Sequence, residues 1–368
     1  MLLNLVRMTE SRRELESALA LYRELDDAPG QGRALEMLAM NLWLSGHVGS
    51  AVAAVEEALP KLAAAGERRG EITALVGLGA ARAWGDKMSS GRPSLERALA
   101  IALVLEARSD EAFVRCCVAD FGMEAGAYGA AFRESSTALA IARELGHLEW
   151  MVYALDVLGR VHAECGAWAE ARVLHEEELG LARRLGAALW IADALGNVGN
   201  DLLEAGDLDG ARGYLEEAVQ VAGECAEKAV HPLARLGDLA ILAGRPRDAL
   251  EASARLRATA GEYRVFAIQA KRIEAEAWAL LGRLDDAEAA LVDVILEAER
   301  AEATPTRWRA ELALAEVLRF RGDQVRAREA AARALALLEP VMAELPPALS
   351  GALAASRLMR RSQRLAAD

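Results

Sequence analysis

His162, Cys165, His175 and Glu178 are the residues of this 368-residue sequence whose types and spacing come nearest to chemistry. On a helix, His162 and Cys165 lie three apart on one face, and His175 comes early enough in the next segment to approach them. Nitrogen and sulfur ligands of this kind suit zinc. Cys165 abuts a turn, however, and ordinary packing accounts for all four, so no metal is assigned. The other cysteines, Cys116, Cys117 and Cys225, form no CxxC pair. Cys116 and Cys117 read as small apolar side chains on a helix. No phosphate-binding loop, Gly-x-Ser-x-Gly or His-Glu-x-x-His motif occurs. The sequence therefore predicts a protein with no catalysis of its own and no cofactor.

Binding remains, and charge bounds its class. There are 43 basic and 56 acidic residues, a formal net charge of -13. That balance excludes a general nucleic-acid binder, because phosphate binding needs positive faces. Arg357, Arg360, Arg361 and Arg364 crowd the C-terminal segment and are expected on a solvated capping face. Residues 1–7 lack the charged leader and long apolar run of a signal peptide. Residues 37–55 contain no Asp, Glu, Lys or Arg, but Asn41, Ser45, Gly46, His47, Gly49 and Ser50 interrupt them. That stretch reads as a helix–turn–helix and not as a membrane span. With cysteines that form no ladder, a reduced cytoplasm is the expected compartment.

The elements that position any binding residues must be helices. Hydrophobic residues are 53% of the chain but aromatics only 5%, so Ala and Leu supply the apolar surface, as in closely packed helices. Gly46, Gly85, Gly126, Gly166, Gly206, Gly244, Gly282 and Gly322 interrupt apolar runs at a spacing of 38 to 41 residues. Five residues after each stands Ala51, Ser90, Ala131, Ala171, Ala211, Ala249, Ala287 or Ala327. A second series, Ala18, Ala58, Ala98, Ala138, Glu178 and Ala218, steps by 40. Three series in one phase define eight full repeats, each of two helices. Residues 190–204 are apolar at helical spacing, Ala205-Gly206-Asp207 breaks the run, and Leu208 opens the second helix. The small residue after each turn is expected where two antiparallel helices approach too closely for a larger side chain.

Leu158-Gly159 and Val198-Gly199 precede their turn glycines, Ala follows at five, and Ala often recurs at twelve, as in Ala58, Ala138, Ala218 and Ala334. This pattern resembles the tetratricopeptide repeat in its longer variety of roughly forty residues. Such repeats occur in kinesin light chain and in sensor regions of large bacterial regulators similar to the maltose-regulon activator. The resemblance implies an all-α fold, a right-handed superhelical α-solenoid. It would comprise a half repeat over residues 1–28, eight repeats over 29–345 and a capping helix over 346–368, all in one domain. Residues 18–25 match 138–145, a second helix, whose partner would lie before residue 1. The proline that usually ends each repeat is mostly absent, and Glu274 stands where Leu is expected. His162 falls where the family has a buried Tyr, which again favours packing.

In stacked helix pairs the first helices line a concave face. Counting back 13, 10, 6 and 3 from the turn glycine gives Tyr153, Asp156, Arg160 and Ala163; then Asp193, Gly196, Asn200 and Leu203; then His231, Ala234, Asp238 and Ile241. Asn197 and Arg235, at minus 9, border the same face. Tyr153, Arg160, Asn197, Asn200, His231 and Arg235 are thus expected as concave-groove contacts for a protein or peptide partner, with the Arg160 and Arg235 side chains exposed. Tetratricopeptide domains that bind chaperone tails clamp a carboxylate with Lys, Asn and Arg at such places. Asn197 and Arg235 match two of them and His231 weakly a third, while Asp156 and Arg160 depart from the pattern. Glu178 replaces a close-packed Ala, so it should pair with His175 or reach solvent. The function expected is a protein-interaction scaffold; the alternative is a ligand- or partner-sensing segment of a larger bacterial signalling ATPase or transcription activator.

Overall fold

A computed structural model describes residues 7–367. Among them, 87% are helical and no strand occurs. The first helices of the repeats are α2 (Ala28–Leu44), α4 (Arg68–Gly85), α6 (Arg108–Ala125), α8 (Leu148–Glu164), α10 (Ala188–Ala205), α12 (Ala226–Leu242), α14 (Arg264–Leu280) and α16 (Thr304–Phe320). Alternating with them are α1 (Met8–Glu24), α3 (Val48–Ala65), α5 (Arg92–Val104), α7 (Tyr128–Leu145), α9 (Trp168–Leu185), α11 (Leu208–Ala222), α13 (Pro246–Ala260), α15 (Leu284–Arg300) and α17 (Gln324–Glu344). The apolar stretch over residues 37–55 is α2, a turn and α3, and no helix of the described residues is long and apolar enough to cross a membrane.

The glycine and alanine series do what their chemistry dictates. Gly206 is left-handed at φ 87°, its N–H donates to the Leu203 carbonyl, and the Asp207 side chain accepts from the Gly210 N–H at 3.0 Å. Only a residue without a Cβ enters that conformation cheaply. The alanines five residues after the turns, among them Ala131, Ala171 and Ala211, are wholly buried. Gly199 allows α10 to meet α11, since a Cβ there would lie 2.8 Å from Leu215 Cγ.

One repeat departs from the pattern. Gly85 ends α4 without a left-handed turn, and a 3-10 turn over Met88–Ser90 delays α5 until Arg92. Gly91 takes over the close approach: a Cβ there would stand 2.3 Å from the Gly79 carbonyl oxygen. Ser90, the one non-alanine of its series, marks this displaced crossing.

The superhelix also closes on itself. α2 packs on α12, α4 on α14, α6 on α16 and α7 on α17. Backbone N–H groups of Thr9, Gly49 and Ser89 donate to the carboxylates of Glu224, Glu262 and Glu302, at sequence separations of 215, 213 and 213 residues. One turn of the coil therefore takes about five repeats. An aromatic knot joins the two coils: wholly buried Trp84 packs against Trp43 and Phe121 of the first, and against His231, Tyr263 and Phe266 of the second. Solenoid repeats ordinarily touch only their neighbours; here the second coil covers the first.

The C-terminal segment, expected as one capping helix, is two: α18 (Pro347–Ala354) and α19 (Arg357–Ala367). Ser356 breaks it, its Oγ accepting from the Met359 N–H at 3.1 Å as a helix cap would. The break lets α19 fold onto α17 and α16, burying Met359 and Leu365. Arg361 is drawn into an ion pair with Glu316, so the arginine face is not wholly free.

Candidate partner-binding site

Because the coil closes, its concave strip becomes an interior. A cavity of about 90 Å³ is walled by α6, α8, α10, α12, α14 and α16. Arg160, Asn197, Asn200, His231 and Arg235 all line it. Tyr153 does not; its hydroxyl donates to Asp120 at 3.2 Å behind the wall. The sequence brought five of the six to one place, but the expectation that Arg160 and Arg235 stand exposed is overturned, their side chains being 18% and 29% exposed.

Arg160 reaches Asp120 at 2.7 Å, Glu124 at 3.1 Å and Asp156 at 3.7 Å, with its side chain 18% exposed. Burial opposes its charge, yet the three carboxylates prevail and raise its pKa well above the usual arginine value. Arg235 pairs with Glu164 at 3.0 Å and Asp238 at 3.2 Å. Asn197 donates to Asp156 at 2.7 Å and to Glu178 at 3.0 Å. Asn197 and Arg235 are therefore engaged by the chain's own carboxylates and present no open clamp. Burial, aided by the cations of Arg160, Arg235 and Lys228, pushes the His231 pKa well below its ordinary value. His231 is thus a neutral ring, held edge-on to Phe266.

Four residues that the sequence analysis did not name, Glu164, Arg309, Arg272 and Glu124, also line the wall. Glu164 accepts from Arg309 at 2.6 and 2.9 Å, from Arg235 at 3.0 Å and from Tyr128 at 3.2 Å. Burial alone would raise its pKa, but the two arginines hold it down at about 2. Arg272 reaches Asp238 at 2.5 Å and also pairs with Glu276. Glu124 behaves in the opposite way: burial outweighs Arg160 and lifts its pKa to about 7. Arg272 and Arg309 stand at minus 10 and minus 13 in the last two repeats, so the same offsets carried to the end of the chain would have found them.

Glu178 is completely buried and does not reach solvent. Nor does it bond His175, whose Nδ1 lies 2.8 Å from Asp201. His175 turns away because its ring packs over Gly159, where a Cβ would meet Nε2 at 2.3 Å. Burial and the nearby Asp156 raise the Glu178 pKa well above the carboxylate range. Among the described residues, no three His, Cys, Asp or Glu side chains are placed to hold a metal ion. Two polar atoms of cavity-lining residues are left over, an acceptor and a donor: Asn200 Oδ1 is buried and accepts no hydrogen bond, and Arg272 Nε is buried and donates none.

Stacked antiparallel helix pairs with left-handed glycine turns and alanine crossings make this a tetratricopeptide-type α-solenoid. Residues 191–224, covering most of α10 and all of α11, match the family model described as tetratricopeptide repeat. No curated protein matches the sequence. Among solved structures, the chain is similar to a Rap protein complexed with Competence and Sporulation Factor, with a TM-score of 0.71 at 18% identity, over 93% of this chain and 98% of that one. It is similar to the Rap conjugation gene regulator of the plasmid pLS20 in complex with the Phr* peptide, with a TM-score of 0.59 at 14% identity, over 90% and 95% of the two chains. The apo form of the quorum sensor NprR from B. thuringiensis matches with a TM-score of 0.53 at 14% identity, over 90% and 98%. At these identities the likeness is one of fold.

Proposed function

We propose that this chain is a non-catalytic scaffold that binds a peptide or protein partner, part of which enters the interior cavity. The observation that carries this reading is the convergence of Arg160, Asn197, Asn200, His231 and Arg235 on one cavity beside the unpartnered Asn200 oxygen. A buried polar atom without a partner is costly, and a ligand N–H would satisfy it. The cavity has room for about three waters at roughly 30 Å³ each. It therefore takes a side chain or a chain end, with the rest of the partner lying along the coil axis. Two structures of similar fold are complexes, one with Competence and Sporulation Factor and one with the Phr* peptide, which supports the class of partner.

The test is a displayed library of short random peptides panned on the purified chain, followed by fluorescence anisotropy on enriched peptides. Asn200→Ala should weaken binding about ten-fold, the effect of losing one hydrogen bond of about 1.4 kcal/mol. Arg172→Ala, at an exposed pair on α9, should leave it unchanged. Absence of any enriched peptide, or equal binding by Asn200→Ala, would count against the cavity as the site.

A further inference from the structure

The seam between the two coils shows which surfaces of this chain fit one another, and both surfaces recur uncovered at the ends of the molecule. Along the seam, first-to-second-helix turns of the early repeats meet second-to-first-helix turns of the late ones. The Glu262 N–H donates to the Gly46 carbonyl at 3.1 Å and the Met88 N–H to the Ala301 carbonyl at 3.1 Å. Glu262 and Glu302 each place a carboxylate on the backbone N–H groups that open the facing segment, at 2.6 and 2.7 Å. Free N–H groups and the positive end of the helix dipole suit a carboxylate there.

The late repeats have first-to-second turns of their own, at Gly206, Gly244, Gly282 and Gly322. A Cβ at any of these would meet nothing within 4 Å, and the C-terminal helices leave this edge open. The early repeats likewise have bare second-to-first turns, with open space at Gly66 and Gly146.

Apolar side chains mark both bare edges. Two residues before the turn glycine stand Leu44 in the first repeat and Leu242, Leu280 and Phe320 in the late ones. Leu44 is 6% exposed beneath the second coil, whereas Leu242, Leu280 and Phe320 are 48%, 47% and 76% exposed. On the opposite edge Leu25, Leu105 and Leu145 lie bare at the ends of α1, α5 and α7. Their counterparts inside the seam, Ala222, Ala260 and Ala301, are wholly buried. Arg245 and Arg283 follow the bare turn glycines Gly244 and Gly282 on one edge, and Asp26 and Glu106 stand at bare turns on the other.

We infer that a second copy of this chain stacks head to tail on the first, its second-to-first turns seated on the bare first-to-second turns of its partner, so that the superhelix continues from one chain into the next. Such a contact uses two different surfaces and leaves one of each free, so association does not stop at a pair. It rests on the seam and not on the interior cavity.

Light scattering and sedimentation across a concentration series test it. The mass should rise from one chain to two and beyond. Phe320→Glu on one edge and Leu25→Glu on the other should each hold the protein at the mass of one chain. An equimolar mixture of the two variants should form pairs and nothing larger, because each keeps the surface the other has lost. Val173→Glu, on the exposed face of α9, should associate as the unaltered chain does. Circular dichroism checks that each variant is folded; where one is not, Arg283→Glu replaces Phe320→Glu on its edge and Leu105→Glu replaces Leu25→Glu on the other. A mass of one chain at every concentration, association that survives both edge variants, or a mixture that fails to pair overturns the inference.

Discussion

Gly126→Ala and Gly206→Ala place the same methyl group in the same backbone conformation and differ only in what faces it. Both glycines end a first helix in the left-handed region, at φ 80° and 87°. An L-residue there costs about 1–2 kcal/mol, and Gly206→Ala should lose that and no more, because open space surrounds its Cβ position. At Gly126 the new Cβ would lie 2.9 Å from Thr304 Cβ and 3.2 Å from its Cγ2. Thr304 is no flexible side-chain tip. It is the first residue of α16, fixed to the backbone of the second coil. Relieving the overlap means moving α16 or its packing, a strain of about 1–3 kcal/mol in a well-packed setting. Gly126→Ala should therefore be the more destabilising by about 1–3 kcal/mol. Urea titrations of the two variants side by side, followed by far-ultraviolet circular dichroism and by tryptophan fluorescence, measure this. Trp308 lies on α16, so the fluorescence of Gly126→Ala should also change before unfolding. Equal midpoints for the two variants would refute the claim that the coils bear on each other at this turn.

Arg309→Ala should cost about 3 kcal/mol in the same assay, because it breaks a buried pair and leaves Glu164 with Arg235 and Tyr128 alone; a change within about 0.5 kcal/mol, as at an ordinary surface site, would contradict it. Glu178→Gln should leave stability at neutral pH unchanged or raise it, since Glu178 already sits buried with a raised pKa and one unpartnered oxygen; a lower denaturation midpoint would show that its charge is needed. For Glu124 the folded pKa of about 7 exceeds the reference 4.5. Its contribution is therefore full below pH 4.5 and lost as pH rises through about 7. Relative to Glu124→Gln, the unaltered chain should lose stability across that window, and parallel stability curves for the two proteins would argue against a buried, raised carboxyl.

The fold was legible because its determinants are local. A left-handed turn needs glycine, a close crossing needs alanine, and each lies within one repeat of its partner, so a fixed spacing exposes them all. Residues 88–91 were misread for the same reason: the crossing moved to Gly91, and Ser90 was the sole trace. The closing of the coil was not legible. It depends on a small rotation from each repeat to the next, summed over about five repeats, and no single residue encodes it. Burial of the concave strip follows from that closure, and so Arg160 and Arg235, sound as to place, were wrongly expected to be free.

A coil that closes takes its concave strip out of water, and a charge left there without a partner is costly. The strip must therefore be neutralised from within, and the repeat supplies the means. Residues six before the turn glycine run Asp120, Arg160, Asn200, Asp238 and Glu276. Arg160 pairs with Asp120 one repeat back, while Asp238 and Glu276 share Arg272 from the adjoining position. Opposite charges set against one another on the concave positions of successive repeats are thus the sequence trace of a closed coil, present in the chain but meaningful only once closure is known. Asn200 is the step at which the row lapses. It is neutral, lies between Arg160 and Asp238 in the series, and its oxygen has no partner on the chain. A groove meant only to hold itself together would have had a reason to fill that place. The gap in an otherwise paired row is the physical ground for putting a partner's N–H there.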